Sequence, residues 1–226
     1  MAKIKYFMVL DVEGMSTCKP YNVGYIIGDK HGNIVMERSF ALPECIWQNL
    51  QNCFHAEEMT HKNVEEILAD FGSGDKRKYD YVSNAEFKRI FEQDIKSFNI
   101  KTIWAYNVSF DKGSLARLYE IIPLPDVEFA DIWSAVTYSR CMTKKYVNFC
   151  IKNGFVTEKG NIKTSAEVVY AYYTKNILFQ EEHTGLADCH IEYKLLLWAY
   201  ATNKKLVKKH PRQIWRVMAE LVQPAE

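Results

Sequence analysis

Apolar and aromatic side chains run almost unbroken from Ile4 to Leu10 and stop at Asp11. That pattern belongs to a strand covered on both sheet faces, and so to a central strand. Tyr21 to Gly28 and Asn33 to Leu42 are rich in β-formers, and Asp29-Lys30-His31-Gly32 between them suits a hairpin loop. The second and third strands are therefore expected to be antiparallel. Helical spacing follows: Val64, Ile67, Leu68 and Phe71 predict a helix over 63–71 that ends in a Gly-Ser-Gly-Asp loop. Ser83 and Glu86 have capping-box spacing ahead of Phe87, Ile90, Phe91, Ile95 and Phe98, which share one helix face.

Residues 102–106 are short and β-prone, and a helix follows with Ser109 as its natural N-cap. Residues 129–132 form an expected fifth strand, and 143–180 a small helical and loop subregion. A long helix from Thr184 to about Asn203 carries Leu186, Cys189, Tyr193, Leu196, Leu197 and Tyr200 as one apolar stripe. Pro211 opens a last helix bearing Ile214, Trp215, Met218 and Val222. Strands alternating with helices after an antiparallel start predict an α/β fold, a mixed five-stranded sheet with an antiparallel second strand, flanked by helices. One domain is expected over 1–226, with 143–180 as an insertion and 204–226 as a basic C-terminal helical region.

Composition narrows the function. The 226 residues are 48% hydrophobic and 14% aromatic, which excludes a disordered chain. Lys and Arg number 29 against 28 Asp and Glu, so no global field draws the protein to nucleic acid or membrane, and an anionic substrate must be held locally. One local field exists: from Tyr193 to Ala219 there is no acidic residue, while Lys194, Lys204, Lys205, Lys208, Lys209, Arg212 and Arg216 are basic. A solvated helix face explains that stretch as well as a phosphate-binding surface does. The six cysteines form no CxxC pair and read as reduced thiols. The apolar run from Tyr6 to Leu10 is too short for a signal segment or a span, so a cytoplasmic protein without a membrane partner is expected.

Three segments carry chemistry. Asp11 and Glu13 stand two residues apart at the end of the buried strand, so both carboxylates point to one side. Like charges so placed raise each other's proton affinity unless a cation lies between them, as expected for oxygen ligands of Mg²⁺ or Mn²⁺. Asp111 falls in the first turn of a helix, where the helix N-terminus favours its charged form, and Asn107 lies in the turn before it. Asp in a first turn is commonplace and alone says nothing about catalysis. His183 precedes the long helix and Asp188 lies early in it, an arrangement that can aim a base and a metal ligand into one cleft.

Asp11-Val12-Glu13, Asn107 to Asp111 and His183 to Asp188, in that order and spacing, resemble the DEDDh exonucleases, the proofreading-subunit and RNase T group of the ribonuclease H-like fold. The DEDDy subgroup would carry Tyr where Thr184 stands. Where the family usually has Thr or Ser after the first Glu, this chain has Gly14, with Ser16 and Thr17 slightly later. The resemblance implies that Asp11, Glu13, Asp111 and Asp188 hold two divalent ions, Mg²⁺ or Mn²⁺, and that His183 is the general base. It makes Gly14 and Asn107 the candidate substrate-binding residues. It implies a 3′–5′ exonuclease acting on single-stranded DNA or RNA 3′ ends, alone or delivered by a polymerase or other protein partner. The competing expectations are a catalytically weak nucleic-acid- or partner-binding module of the same fold, and a hydrolase of very short oligonucleotides. Trp104, Trp133 and Trp198 read as core aromatics, and Tyr106 is the aromatic nearest the candidate site.

Overall fold

The computed structural model describes residues 5–14, 19–46, 78–119, 127–202 and 205–208. Among them, β1 (Phe7–Glu13), β2 (Asn22–Gly28), β3 (Ile34–Ala41), β4 (Asp80–Tyr81), β5 (Thr102–Ala105) and β6 (Glu128–Asp131) form one sheet in the order β4-β3-β2-β1-β5-β6. β1 is interior, as expected from its apolar run. It pairs antiparallel with β2 and parallel with β5, and the β2–β3 pair is antiparallel. The hairpin closes through Asp29, whose Oδ1 accepts the N–H groups of His31 (2.8 Å) and Asn33 (3.1 Å).

The described sheet has six strands, not the five expected. The extra strand, β4, is two residues long and pairs parallel with Phe40 and Ala41, and two residues are too few to show an alternation in sequence. The strand expected at 129–132 is the edge strand β6. The helix expected over 63–71 and the one opening at Pro211 lie outside the described residues.

The described helices are α1 (Asn84–Ser97), α2 (Val108–Tyr119), α3 (Ile132–Val136), α4 (Lys144–Lys152), α5 (Ala166–Thr174) and α6 (Gly185–Tyr200), with a π-helical turn at Thr137–Cys141 after α3. None is long and apolar enough to cross a membrane. Half of the expected capping box forms at α1. Glu86 N–H donates to Ser83 Oγ (3.2 Å), while the Glu86 carboxylate turns to Arg89 (2.7 Å). Ser109 lies inside α2, which starts one residue earlier, so it is not the N-cap.

The pleat of β1 divides the core. Met8, Leu10 and Val12 join Tyr25, Phe40, Phe87 and Phe91 on the face covered by α1. Phe7 and Val9 join Trp104, Tyr146, Val169, Cys189, Tyr193 and Leu196 on the face covered by α6 and the segment from α4 to α5. Asp11 and Glu13 continue the phase of Phe7 and Val9, so they point toward the α6 face. On the opposite face Asp94, also buried, accepts from the Tyr25 hydroxyl (2.7 Å) and from Arg38 Nε (3.2 Å).

Sequence predicts one apolar stripe on α6, but the helix is buried on more than one side. Ile191, Glu192, Leu195 and Ala199 are covered along with Cys189, Tyr193 and Leu196, because β1, β2, α3 and α5 all pack against it. Its first turn lies directly on β2. A Cβ at Gly24 would stand 2.1 Å from the backbone carbon of Gly185, a distance no side chain tolerates. Asn22 fixes the contact: its Oδ1 accepts Gly185 N–H (2.7 Å) while its Nδ2 donates to the Phe40 carbonyl (2.6 Å).

Candidate active site

The end of β1 supplies the first two acids, and the start of α2 supplies the third. Asp111, 1% exposed, accepts the Val12 N–H through Oδ1 (3.2 Å), tying α2 to the strand between Asp11 and Glu13. The turn into α2 passes through Asn107 at φ 60°, the left-handed region that Asn tolerates better than most residues. Asp131 holds that turn: Oδ1 accepts Asn107 N–H (3.1 Å), and Oδ2 caps α3 by accepting Ser134 N–H (3.1 Å) and the Ser134 hydroxyl. Gly14 follows Glu13 at the strand end, and Asn107 is exposed.

His183 is also left-handed, at φ 52°, and Thr184 is the N-cap of α6. Asp188 sits in the first turn, where the helix N-terminus favours a carboxylate. Because α6 is seated on Gly24, the two reach the end of β1. One ligand atom each from Glu13, His183 and Asp188 lie within 4.8 Å of one another.

Among the described residues, the charged groups that act most strongly on Asp11 are acids. Burial, then the carboxylates of Glu192, Glu13, Asp111 and Asp188, hold its pKa well above the usual range, and its buried Oδ2 has no hydrogen-bond partner. Burial pushes Asp111 up to about 8. Burial followed by Asp188 and Glu167 pushes Glu181 up to about 8, and burial followed by Asp111 and Asp188 raises Glu192. Several kcal/mol of desolvation per ion would be uncompensated if these groups were ionised with nothing between them. Among the described residues the ligand atoms brought together are those of Glu13, His183 and Asp188; Asp11 and Asp111 lie outside that group, and the orphaned Asp11 oxygen and the acids around it fit a divalent cation nearby.

Sequence reasoning missed Glu192, Glu181, Asp131, Asn22 and Gly24. Glu192 had a signal, since it falls four residues after Asp188 on a helix otherwise lined by apolar side chains. Asp131 and Gly24 act through contacts across long sequence separations and had none. Of the aromatics, Trp104 is core, Trp133 Nε1 donates to Thr164 Oγ1 (2.8 Å), and Trp198 packs under Arg140. The Tyr106 hydroxyl is committed to the Thr164 carbonyl, which ties this ring to the fold. Of the basic stretch, Lys194 is near the Tyr170 hydroxyl (3.3 Å) and Lys208 pairs with Glu128 (2.6 Å), while Lys204, Lys209, Arg212 and Arg216 lie outside the described residues. Cys45, Cys141, Cys150 and Cys189 are buried cysteines.

No protein-family model matches the chain, and no curated protein is significantly similar to it in sequence. Solved structures are similar in shape. Exonuclease I, crystallised with the inhibitor BCBP, superposes with a TM-score of 0.50 at 14% identity, covering 96% of this chain and 43% of that one. The cell-death related nuclease CRN-4 superposes with a TM-score of 0.52 at 11% identity, covering 90% of this chain and 66% of that one. The chain thus spans less than half the length of exonuclease I. What it shares with both is the fold, a mixed α/β sheet of the ribonuclease H-like kind flanked by helices.

Proposed function

We propose that the chain is a metal-dependent exonuclease that hydrolyses phosphodiester bonds at single-stranded nucleic-acid 3′ ends and releases mononucleotides. The observation that carries this reading is the meeting of ligand atoms of Glu13, His183 and Asp188 within 4.8 Å, beside a half-buried Asp11 whose strongest charged influences among the described residues are acids. The order of the acids along the chain and the fold shared with two nucleases support it. We take residues 1–226 as one catalytic domain, with the 143–180 insertion packed into the core on the α6 face.

Divalent cations, two in this reading, would supply charge neutralisation and polarisation of the scissile phosphate. Asp11, which stands among the other acids, would help to hold them, together with Glu13 and Asp188 on the His183 side. Asp111 is held by the Val12 N–H and completes the opposite side. His183 takes a proton from the attacking water. Imidazole is the side chain most often used for this step, and proton transfer by a placed base is worth about 10²- to 10⁴-fold. The water oxygen bonds to phosphorus, the bond from phosphorus to the 3′ oxygen breaks, and that oxygen takes a proton as it leaves. Gly14, without a side chain, and the exposed Asn107 border the strand end and helix start where the terminal nucleotide would lie.

The test is a gel of 5′-labelled DNA and RNA oligomers, with and without a blocked 3′ end, in Mg²⁺, Mn²⁺ or EDTA. The parent should give a shortening ladder from free 3′ ends only, with a divalent cation only, and Asp11→Ala should give none. Binding without cleavage would assign a binding module. Equal cleavage by Asp11→Ala would assign a contaminant.

A further inference from the structure

The four acids of the proposed site do not exhaust its carboxylates. Glu192 lies on α6 one turn beyond Asp188, so the two leave the helix on the same side. It is 3% exposed, on a helix whose other buried positions between Cys189 and Ala199 are Ile191, Tyr193, Leu195 and Leu196. One oxygen of Glu192 accepts the backbone N–H of Tyr106, at the end of β5. The other, Oε2, is buried and has no hydrogen-bond partner. The charges that act most strongly on it are those of Asp111, Asp188 and Glu181, and it is in turn the strongest charged influence on Asp11.

A buried glutamate kept only for structure is either a neutral acid that gives its proton to an acceptor or an anion paired with a cation. Glu192 has neither. Burial and the acids Asp111, Asp188 and Glu181 oppose its charged form, the Tyr106 N–H favours it, and its second oxygen is buried without a partner on the side of the helix that carries Asp188. A leucine would fill the same space at lower cost.

We propose that Glu192 is a fifth carboxylate ligand of the cation centre, added at its buried end by α6. This inference rests on the nuclease reading of the site. Four carboxylates neutralise two divalent ions, and a fifth leaves the cleft one charge negative. This chain should therefore take up its cations before a phosphodiester arrives. Replacing Glu192 by a neutral side chain of the same shape should weaken cation binding and relieve the repulsion that strains the metal-free protein.

The experiment is a thermal-melt titration with Mn²⁺ on chelator-stripped protein, comparing the parent with Glu192→Gln. The variant should need at least tenfold more Mn²⁺ for half the melting-temperature rise, and without metal it should melt above the parent. Equal Mn²⁺ midpoints, or a variant that melts lower by the same amount with and without Mn²⁺, would overturn the proposal and leave a structural glutamate. If Glu192→Gln does not fold, Glu192→Asp, which withdraws the carboxylate by one methylene, should also raise the midpoint, and an unchanged midpoint overturns it. Oligonucleotide cleavage by the same preparations separates the two readings. Metal-dependent cleavage with a midpoint indifferent to Glu192 sinks the ligand and keeps the nuclease. A midpoint that depends on Glu192, in a parent that cleaves nothing, sinks the nuclease and keeps the ligand.

Discussion

Two aspartates, Asp94 buried and Asp11 half-buried, lie on opposite faces of the same sheet. Asp94, under α1, receives a hydroxyl from Tyr25 and a guanidinium from Arg38, so the chain itself provides the opposite charge. Asp11, under α6, receives neither at Oδ2, and the charges around it are those of Glu192, Glu13, Asp111 and Asp188. Burial costs a carboxylate on either face, and what differs is the source of compensation. On the α1 face the fold is complete as it stands. On the α6 face, in the proposed reading, the missing positive charge comes from bound cations and His183 supplies the base.

The largest effect that would sharpen this contrast is expected at His183. His183→Ala should lower turnover by about 10²- to 10⁴-fold, read in single-turnover cleavage, while its Mn²⁺ midpoint stays at the parent value. A raised midpoint would move His183 from base to ligand, and parental turnover across neutral pH would remove it from the mechanism.

On the other face, Asp94→Ala should cost about 1–3 kcal/mol in urea unfolding, because the buried Tyr25 hydroxyl and Arg38 lose their acceptor. Cleavage per folded molecule should not change. A fall in activity at parental stability would mean that the two faces are coupled and would break the comparison.

A smaller effect is expected from pH. Asp111 has an ordinary value of 3.8 and is pushed up to about 8 when folded, so the native metal-free protein keeps a proton that the unfolded chain releases. That contribution is full below about pH 4 and disappears as pH rises to about 8. The melting temperature of stripped protein should accordingly fall between pH 5 and 8, and saturating Mn²⁺ should remove the slope by binding the deprotonated form. A metal-free melting temperature that climbs over that interval would contradict the arrangement of acids described for Asp111.

What could be read in the sequence was local. The run ending at Asp11, the hairpin at Asp29, the Ser83 cap and the helix after Thr184 are each written within a dozen residues. The five candidate residues Asp11, Glu13, Asp111, His183 and Asp188 were legible for the same reason, being short spacings at element ends. The remainder depends on partners far along the chain. The bond from Gly185 to Asn22 spans 163 residues, and it decides how α6 meets the sheet. β4 exists only because β3 offers it an edge, and Glu192 reads as a core intrusion until its neighbours are known. Asp131 falls inside the strand expected at 129–132, and no short spacing there shows that it holds the left-handed turn at Asn107.

The seating of Gly185 on Gly24 governs how far apart the two halves of the cleft stand. With no side chain between helix and strand, that spacing is set by the dimensions of the main chain itself, which neither rotamer changes nor thermal softening of the core can adjust. The gap between the acids of β1 and those of α6 is in effect gauged by two bare peptide units, and the smallest tolerated insertion at either position would reset it.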